Sequence, residues 1–393
     1  MSITAVADVA ATRERVRSVD LVRGLVMVIM ALDHTRDFLS SAHFDPTDLT
    51  KTSAVLFFTR WITHFCAPVF FLLAGTGASL AVSRGMSRSQ ASRFLLTRGL
   101  WLLILELTVV QFAWMFSYHL APYYGLVIWA LGWSMVAMAA LVYLPVAAIT
   151  SVGIVIVAGH NLLDSIEPSA FGSMAWAWTV LHVPGKIGDG SRLNILYPVL
   201  PWIGVMAVGY ALGTVLTRGA AERRSVLLRL GAALITAFVV LRGLNLYGDA
   251  SRWSPQASGL FSALSFLNTT KYPPSLLFLL MTLGPALVAL ALFDRASGPV
   301  AAVFSVFGRV PMFYYVLHLY VLHTLAVAIG LVHGDSVGFL FQNITPDQVP
   351  LWWGFGLPVV YAVWLLAIVI LYPLCRWFAD VKRRRRDWWL SYV

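Results

Sequence analysis

Four polar residues, Asp33, His34, Arg36 and Asp37, follow the apolar run 21–32 with no turn residue in between. A charge at membrane depth costs about 2.5–3.5 kcal/mol or more, so such a group needs a partner or a wet cavity. Asp33 and Arg36 are three apart on one helix and can pair across a turn. His34 falls on a neighbouring face. Histidine titrates near neutrality and suits a general base for an amine or hydroxyl. Asp33, next to it, can orient the ring and stabilise an imidazolium. His43 follows in the next polar stretch. The competing reading of the cluster is a satisfied helix end meeting lipid headgroups.

Other candidates lie further along the chain. Arg60 and His64 are one helical turn apart and share a face, as a structural bridge or as part of a site; Glu106 is the expected partner of Arg60. Asn268, Lys271 and Tyr272 stand in a polar segment and can supply donors to a tetrahedral oxyanion or contacts to an acceptor. His318 and His323 are five apart and do not share a face well. HExxH-like spacing is absent and no metal is expected; no GxSxG elbow or Walker loop appears in a convincing context. Arg23 and Arg309 lie near inner helix ends, where an anionic phosphate would be met. Lys382–Arg386 reads as a topology anchor touching anionic lipid.

These residues sit in a strongly apolar chain of 393 residues, 59% hydrophobic and only 12% charged, with mean hydropathy +0.78. Apolar runs of about 20 residues predict an all-α, polytopic membrane bundle of about ten transmembrane helices. The pattern places them at 18–39, 53–83, 97–117, 123–143, a fifth ending near His160, 196–216, 228–247, 274–293, 310–332 and 351–374. Residues 162–195 read as an outer loop with an interfacial helix. The arginine-rich loops then fall on one side, which places both termini in the cytoplasm. One domain is expected over 17–376, between a cytoplasmic tail at 1–16 and a basic tail at 377–393. The net charge of +10 would suggest nucleic acid in a soluble chain; here it marks topology, and no nucleic-acid partner is expected. Cys66 and Cys375 lie in or beside apolar runs, against a disulfide or a cysteine metal site. Gly204, Gly209 and Gly213 read as helix-packing positions.

The stretch Arg17-Ser-Val-Asp20-Leu-Val-Arg23-Gly24, then an apolar helix and Asp33-His34, resembles the start of the heparan-α-glucosaminide N-acetyltransferase catalytic domain, especially in its bacterial branch. Pro198–Trp202 with Gly209-Tyr210, Thr270–Leu276, Phe307–Pro311 with Tyr315 and His318, and Leu371–Trp377 fit the same pattern, so the resemblance spans about 17–393. It implies a transmembrane acetyl transfer from cytoplasmic acetyl-CoA to an amino sugar on the far side, and it suggests a homodimer. It also implies that a histidine in the loop after the first helix is catalytic. His43 matches that position, and His34 stands where the lysosomal enzyme has an asparagine.

Together these readings give a bacterial cytoplasmic-membrane acyltransferase. It would use acetyl-CoA as co-substrate and act on an amine or hydroxyl of an extracytoplasmic sugar or glycan. His34, His43 and Asp33 are the catalytic candidates, and Arg23 and Arg309 the cofactor candidates. Arg60, His64, Asn268, Lys271, Tyr272 and His318 are the substrate candidates. The rival readings are a proton-coupled carrier of a small metabolite, which intramembrane His, Arg and Glu would also suit, and a membrane subunit without turnover.

Overall fold

The computed structural model describes residues 16–119, 121–188, 192–343, 348–385 and 387–392. The expected tail at 1–16 lies outside them apart from Val16, as does Arg386 of the basic run. The described residues form an all-α bundle. Its helices are α1 (Arg17–Leu39), α2 (Ala54–Trp61), α3 (Cys66–Ser83), α4 (Arg88–Leu105), α5 (Gln111–Met115), α6 (Val127–Leu141), α7 (Val146–Gly159), α8 (Ala175–Leu181), α9 (Leu200–Leu216), α10 (Ala220–Leu244), α11 (Gly259–Leu267), α12 (Leu276–Phe293), α13 (Pro299–Arg309), α14 (Pro311–His333) and α15 (Leu357–Arg384). A 3-10 turn joins α2 to α3, and a π turn, Glu106–Val110, joins α4 to α5. Three short strands, β1 (Tyr123–Gly125), β2 (Gly185–Ile187) and β3 (Leu193–Ile195), form a sheet of order β1-β3-β2 between connecting segments.

Among the described residues, seven helical spans are long and apolar enough to cross a membrane. The chain is a multi-pass membrane protein. α1 carries too many charges to join that set by composition. It is nonetheless central, packing against α3, α12, α13, α14 and α15. The end of the bundle reached by Leu39 is termed outer, and the end that holds Arg23 inner.

Each predicted helix has a counterpart, but several bounds differ. The third, expected from 97, starts at Arg88, because Ser87 and Gln90 form a capping box and the arginines that come next tolerate helix well. The seventh likewise begins at Ala220, with its arginines on the helix. The last begins at Leu357 rather than 351 and runs on to Arg384, so Lys382–Arg384 form its final turn. Hydropathy marks the part of a helix in lipid, not where its hydrogen bonding ends. α13 has no counterpart among the expected spans: at 11 residues it is too short to register as one, and it connects α12 to α14 while packing along α1.

That packing depends on two glycines. A Cβ on Gly24 would lie 1.8 Å from the Phe304 carbonyl oxygen, and one on Gly308 would lie 1.8 Å from that of Asp20. α1 and α13 therefore touch backbone to backbone. The same device joins α3 to α9, where a Cβ on Gly209 would lie 2.1 Å from the Leu72 oxygen and one on Gly213 2.4 Å from the Ser79 Cβ. Both cysteines are buried and free.

Gly24→Ala is expected to push α13 off α1 and lower stability by about 1–3 kcal/mol. Gly77→Ala, with open space around its Cβ, is the neutral control. Melting temperatures of the two variants in detergent check this.

Candidate active site

The polar cluster at the outer end of α1 is held in place by backbone contacts. Gly354, at φ 114°, lets the 353–355 segment run against Ser40, where any side chain would clash. Phe355 N then donates to the Leu39 carbonyl at 2.7 Å, and Trp353 Nε1 to the Phe38 carbonyl at 3.0 Å.

From this fixed end, Asp33 and His34 diverge. Asp33 is buried and accepts from Arg36 Nη2 at 3.0 Å through Oδ1 and from Arg60 Nη1 through Oδ2. Arg36 also donates to Asp37 Oδ1 at 2.6 Å. The result is a chain of alternating charges, Asp37–Arg36–Asp33–Arg60, with two anions and two cations. Asp33, His34 and Asp37 come close enough together to suggest a cation site, but the guanidiniums already occupy both carboxylates, which disfavours a divalent ion there. The expected Glu106–Arg60 pair does not form. Glu106 lies in the π turn after α4 and accepts from Trp129 N of α6 at 3.1 Å; α4 packs on α6, whereas Arg60, in the last turn of α2, reaches α1.

On the Asp33 side a cavity of about 250 Å³ opens, lined by residues that include Asp45, Arg60, His64, Asn268, Lys271 and Tyr272. Five of these are substrate candidates from the sequence, drawn from segments as far as 212 positions apart. Arg60 Nη2 reaches the Tyr272 hydroxyl at 3.5 Å. Lys271 is largely buried, its Nζ 5.2 Å from the centre of the Tyr272 ring. Burial alone would raise the Tyr272 phenol, but the Lys271 and Arg60 charges, with a hydrogen bond from Tyr197, outweigh it and hold the group below the usual tyrosine value. Burial keeps Tyr197 well above that value. Tyr272 is therefore the phenol of this pair that more readily gives up a proton.

The loop that presents Lys271 and Tyr272 is braced by three residues outside the candidate set. Asp249 accepts from Thr270 N (2.9 Å), Thr270 Oγ1 (2.7 Å) and Ser275 Oγ (2.6 Å). Asn161 Oδ1 accepts from Leu276 N at 2.8 Å. Arg242, fully buried, donates to the carbonyls of Ser251, Ser265, Phe266 and Asn268. A cation there satisfies carbonyls at the end of α11. Its signal in the sequence was an arginine in an apolar helix. Asp249 and Asn161 gave none, since polar residues in loops are common.

On the neighbouring face of α1, His34 Nδ1 lies 2.7 Å from His318 Nε2, and His318 Nδ1 lies 3.1 Å from the Tyr314 carbonyl oxygen. A carbonyl only accepts, so His318 carries its proton on Nδ1. Neutral His318 then offers the Nε2 lone pair, His34 donates from Nδ1, and His34 Nε2 keeps a lone pair. Trp114 packs edge-on against His34, with ring centres 5.0 Å apart. His318 thus belongs with His34 and does not line the cavity. His43 does not line it either; its Nε2 is buried without a hydrogen-bond partner. His323 bonds the Ala113 carbonyl at 2.9 Å and stacks on Phe116, a packing role.

At the inner end, Arg23 Nη1 donates to the Gly308 carbonyl at 3.2 Å, which places it beside Arg309, the next residue and an exposed one. Arg98 is close enough to Arg23 for their charges to repel, and it donates to the Ser391 carbonyl. The inner corner is therefore basic, and Arg98 adds to the two arginines proposed from sequence.

The family model for the catalytic part of heparan-alpha-glucosaminide N-acetyltransferase matches residues 15–247. The chain belongs to this family. It is a membrane acetyltransferase in that general sense. No curated protein gives a significant match to the chain. The matched region contains Asp33, His34, His43, Arg60 and His64; Asn268, Lys271, Tyr272, Arg309 and His318 lie beyond it.

Removing Arg60 leaves Asp33 and Asp37 to share Arg36 alone, an excess buried anion that costs up to about 3–5 kcal/mol. Arg60→Met is therefore expected to lower the melting temperature markedly, and adding Asp33→Asn to recover part of the loss. A double-mutant cycle checks this; additive effects would show that the pair is not coupled.

Proposed function

We propose that the protein moves an acetyl group from cytoplasmic acetyl-CoA to an amine or hydroxyl of an extracytoplasmic sugar, with His34 as base or acyl carrier. It would work in the cytoplasmic membrane of a bacterium, with both termini in the cytoplasm. The observation that carries this reading is the His34–His318 contact of 2.7 Å. The ring behind His34 holds its proton on Nδ1 and leaves Nε2 as the reactive nitrogen. As base, His34 takes the acceptor proton while the acceptor nitrogen or oxygen bonds to the thioester carbonyl carbon. The C–S bond then breaks, and the thiolate leaves with the proton. As carrier, Nε2 itself bonds the acetyl carbon as the C–S bond breaks and the thiolate leaves; the acceptor then bonds that carbon, the bond to Nε2 breaks, and the acceptor proton passes by way of the freed imidazole to the thiolate.

The neighbouring cavity suits the acceptor. Lys271, Arg60 and Tyr272 give it donors that can orient hydroxyls and stabilise a developing oxyanion. Asp33 serves this side: its oxygens bond Arg36 and Arg60, so its link to catalysis runs through the placing of Arg60. The basic inner corner of Arg23, Arg98 and Arg309 would attract the phosphates of acetyl-CoA. His43 keeps a claim as base through its place in the loop after α1, with a buried nitrogen free of hydrogen bonds.

Membrane vesicles supplied with labelled acetyl-CoA and a panel of sugars test the reading. His34→Ala is expected to lower transfer by about 10²–10⁴-fold. His318→Gln should lower kcat by less and leave KM for the acceptor unchanged, because it acts through His34. If His34→Ala and His43→Ala both keep full activity, neither histidine is the base. Sugar uptake that needs no acetyl-CoA would point to a carrier.

A further inference from the structure

A second polar cluster lies apart from this site, where the outer end of α7 meets the segment after α8. His160, Asp164 and His182 each bring a ligand atom within 4.8 Å of the other two. His160 opens the 3-10 turn that continues α7, Asp164 closes it, and His182 comes directly after α8. His182 Nε2 lies 3.0 Å from Asp164 Oδ1, and the two imidazoles meet edge to face with centres 5.6 Å apart. Both histidines are buried, at 2% and 0% exposure. Neither ring nitrogen of His160, nor Nδ1 of His182, makes a hydrogen bond of ordinary geometry, although the Pro274 carbonyl lies near His160. Buried polar atoms nearly always find partners. Even with one His160 nitrogen turned to that carbonyl, the other has no partner beside a second imidazole and a carboxylate.

We propose that His160, Asp164 and His182 bind a divalent first-row transition ion, zinc by the chemistry of the donors. Two imidazoles and a carboxylate are a common zinc donor set, and water completes the coordination. At bond lengths of about 2.0–2.2 Å, ligand atoms around a tetrahedral ion stand about 3.3 Å apart, close to the His182–Asp164 spacing. Asn161 Nδ2 donates to the other carboxylate oxygen at 2.8 Å, the kind of outer contact that orients a metal-binding carboxylate. The contrast with the Asp33 cluster is electrostatic: among the described residues, the one ion-pair partner of Asp164 is His182, with no guanidinium on the carboxylate. The ion would fasten the end of α7 to the segment after α8. Through Asn161 and Leu276 N it would also brace the start of α12, just behind the Lys271 loop. HExxH spacing does not reveal this site, because the third ligand comes from a different element.

The test uses the full chain in detergent, purified without chelator through a tag that carries no histidine run. Elemental analysis is expected to find one zinc per chain. Chelation should remove it and lower the melting temperature, and added zinc should restore both. Protein loaded with Co(II) should show the visible bands of a tetrahedral ion. His160→Ala and His182→Ala should lose the metal; His160→Gln serves if the alanine variants are not monodisperse. The proposal fails if the wild-type chain holds no metal and takes up neither zinc nor Co(II) at micromolar ion. It also fails if His160→Ala keeps stoichiometric zinc. None of these readouts depends on acetyl transfer.

Discussion

One buried carboxylate, Asp33, holds two guanidiniums, those of Arg36 and Arg60, near the outer end of α1. Alone, any of these three charges would be strongly disfavoured there. Linked from Asp37 through Arg36 and Asp33 to Arg60, they balance, and the long arginine side chains turn the balance into a fixed geometry. This ties α2 to α1 and sets Arg60 on the wall of the cavity that also holds Lys271 and Tyr272. The polar end of α1 can exist because its charges answer one another, and the cavity takes its shape from that answer.

The charge chain needs α1 to be held still, and backbone contacts do this at both ends. At the inner end, Gly24 and Gly308 let α1 and α13 approach to a distance that no side chain would permit. At the outer end, Gly354 lets the 353–355 segment bond to the last turn of α1. Between them α1 is surrounded by other helices, which explains how a helix with this many charges remains in the bundle. The two sides of α1 then serve different partners. Asp33 looks to the charged cavity, and His34 looks to His318 and Trp114. Adjacent residues on a helix point about 100° apart, so one helix can serve a charged pocket and a histidine pair at once.

The segments around the Lys271 loop are ordered by polar contacts as well as by buried side chains such as Leu264. Arg242 gathers four carbonyls, Asp249 accepts three bonds from Thr270 and Ser275, and Asn161 joins α7 to α12. In loops without much apolar surface to bury, hydrogen bonds of this kind supply most of the definition. They explain why a short loop can hold Lys271 and Tyr272 steadily against Arg60.

Much of this was legible in the residues alone. Apolar periodicity and arginine placement suffice for the all-α membrane bundle, because hydrocarbon tolerates little else than helix across its thickness. The Asp33–Arg36 pair is given by a three-residue spacing, and the glycines of α9 read as packing positions. The opening motif was enough to suggest the family. Tertiary structure alone decided which helices meet. Arg60 answers Asp33 rather than Glu106, and His318 stands behind His34 and does not line the cavity of Arg60 and Lys271. Asp249, Asn161 and Arg242 acquire their roles from residues up to 115 positions away. Periodicity is a property of one helix and says nothing about its neighbours. The partner of a buried charge is set by packing between helices, and that is where the candidate site was assembled.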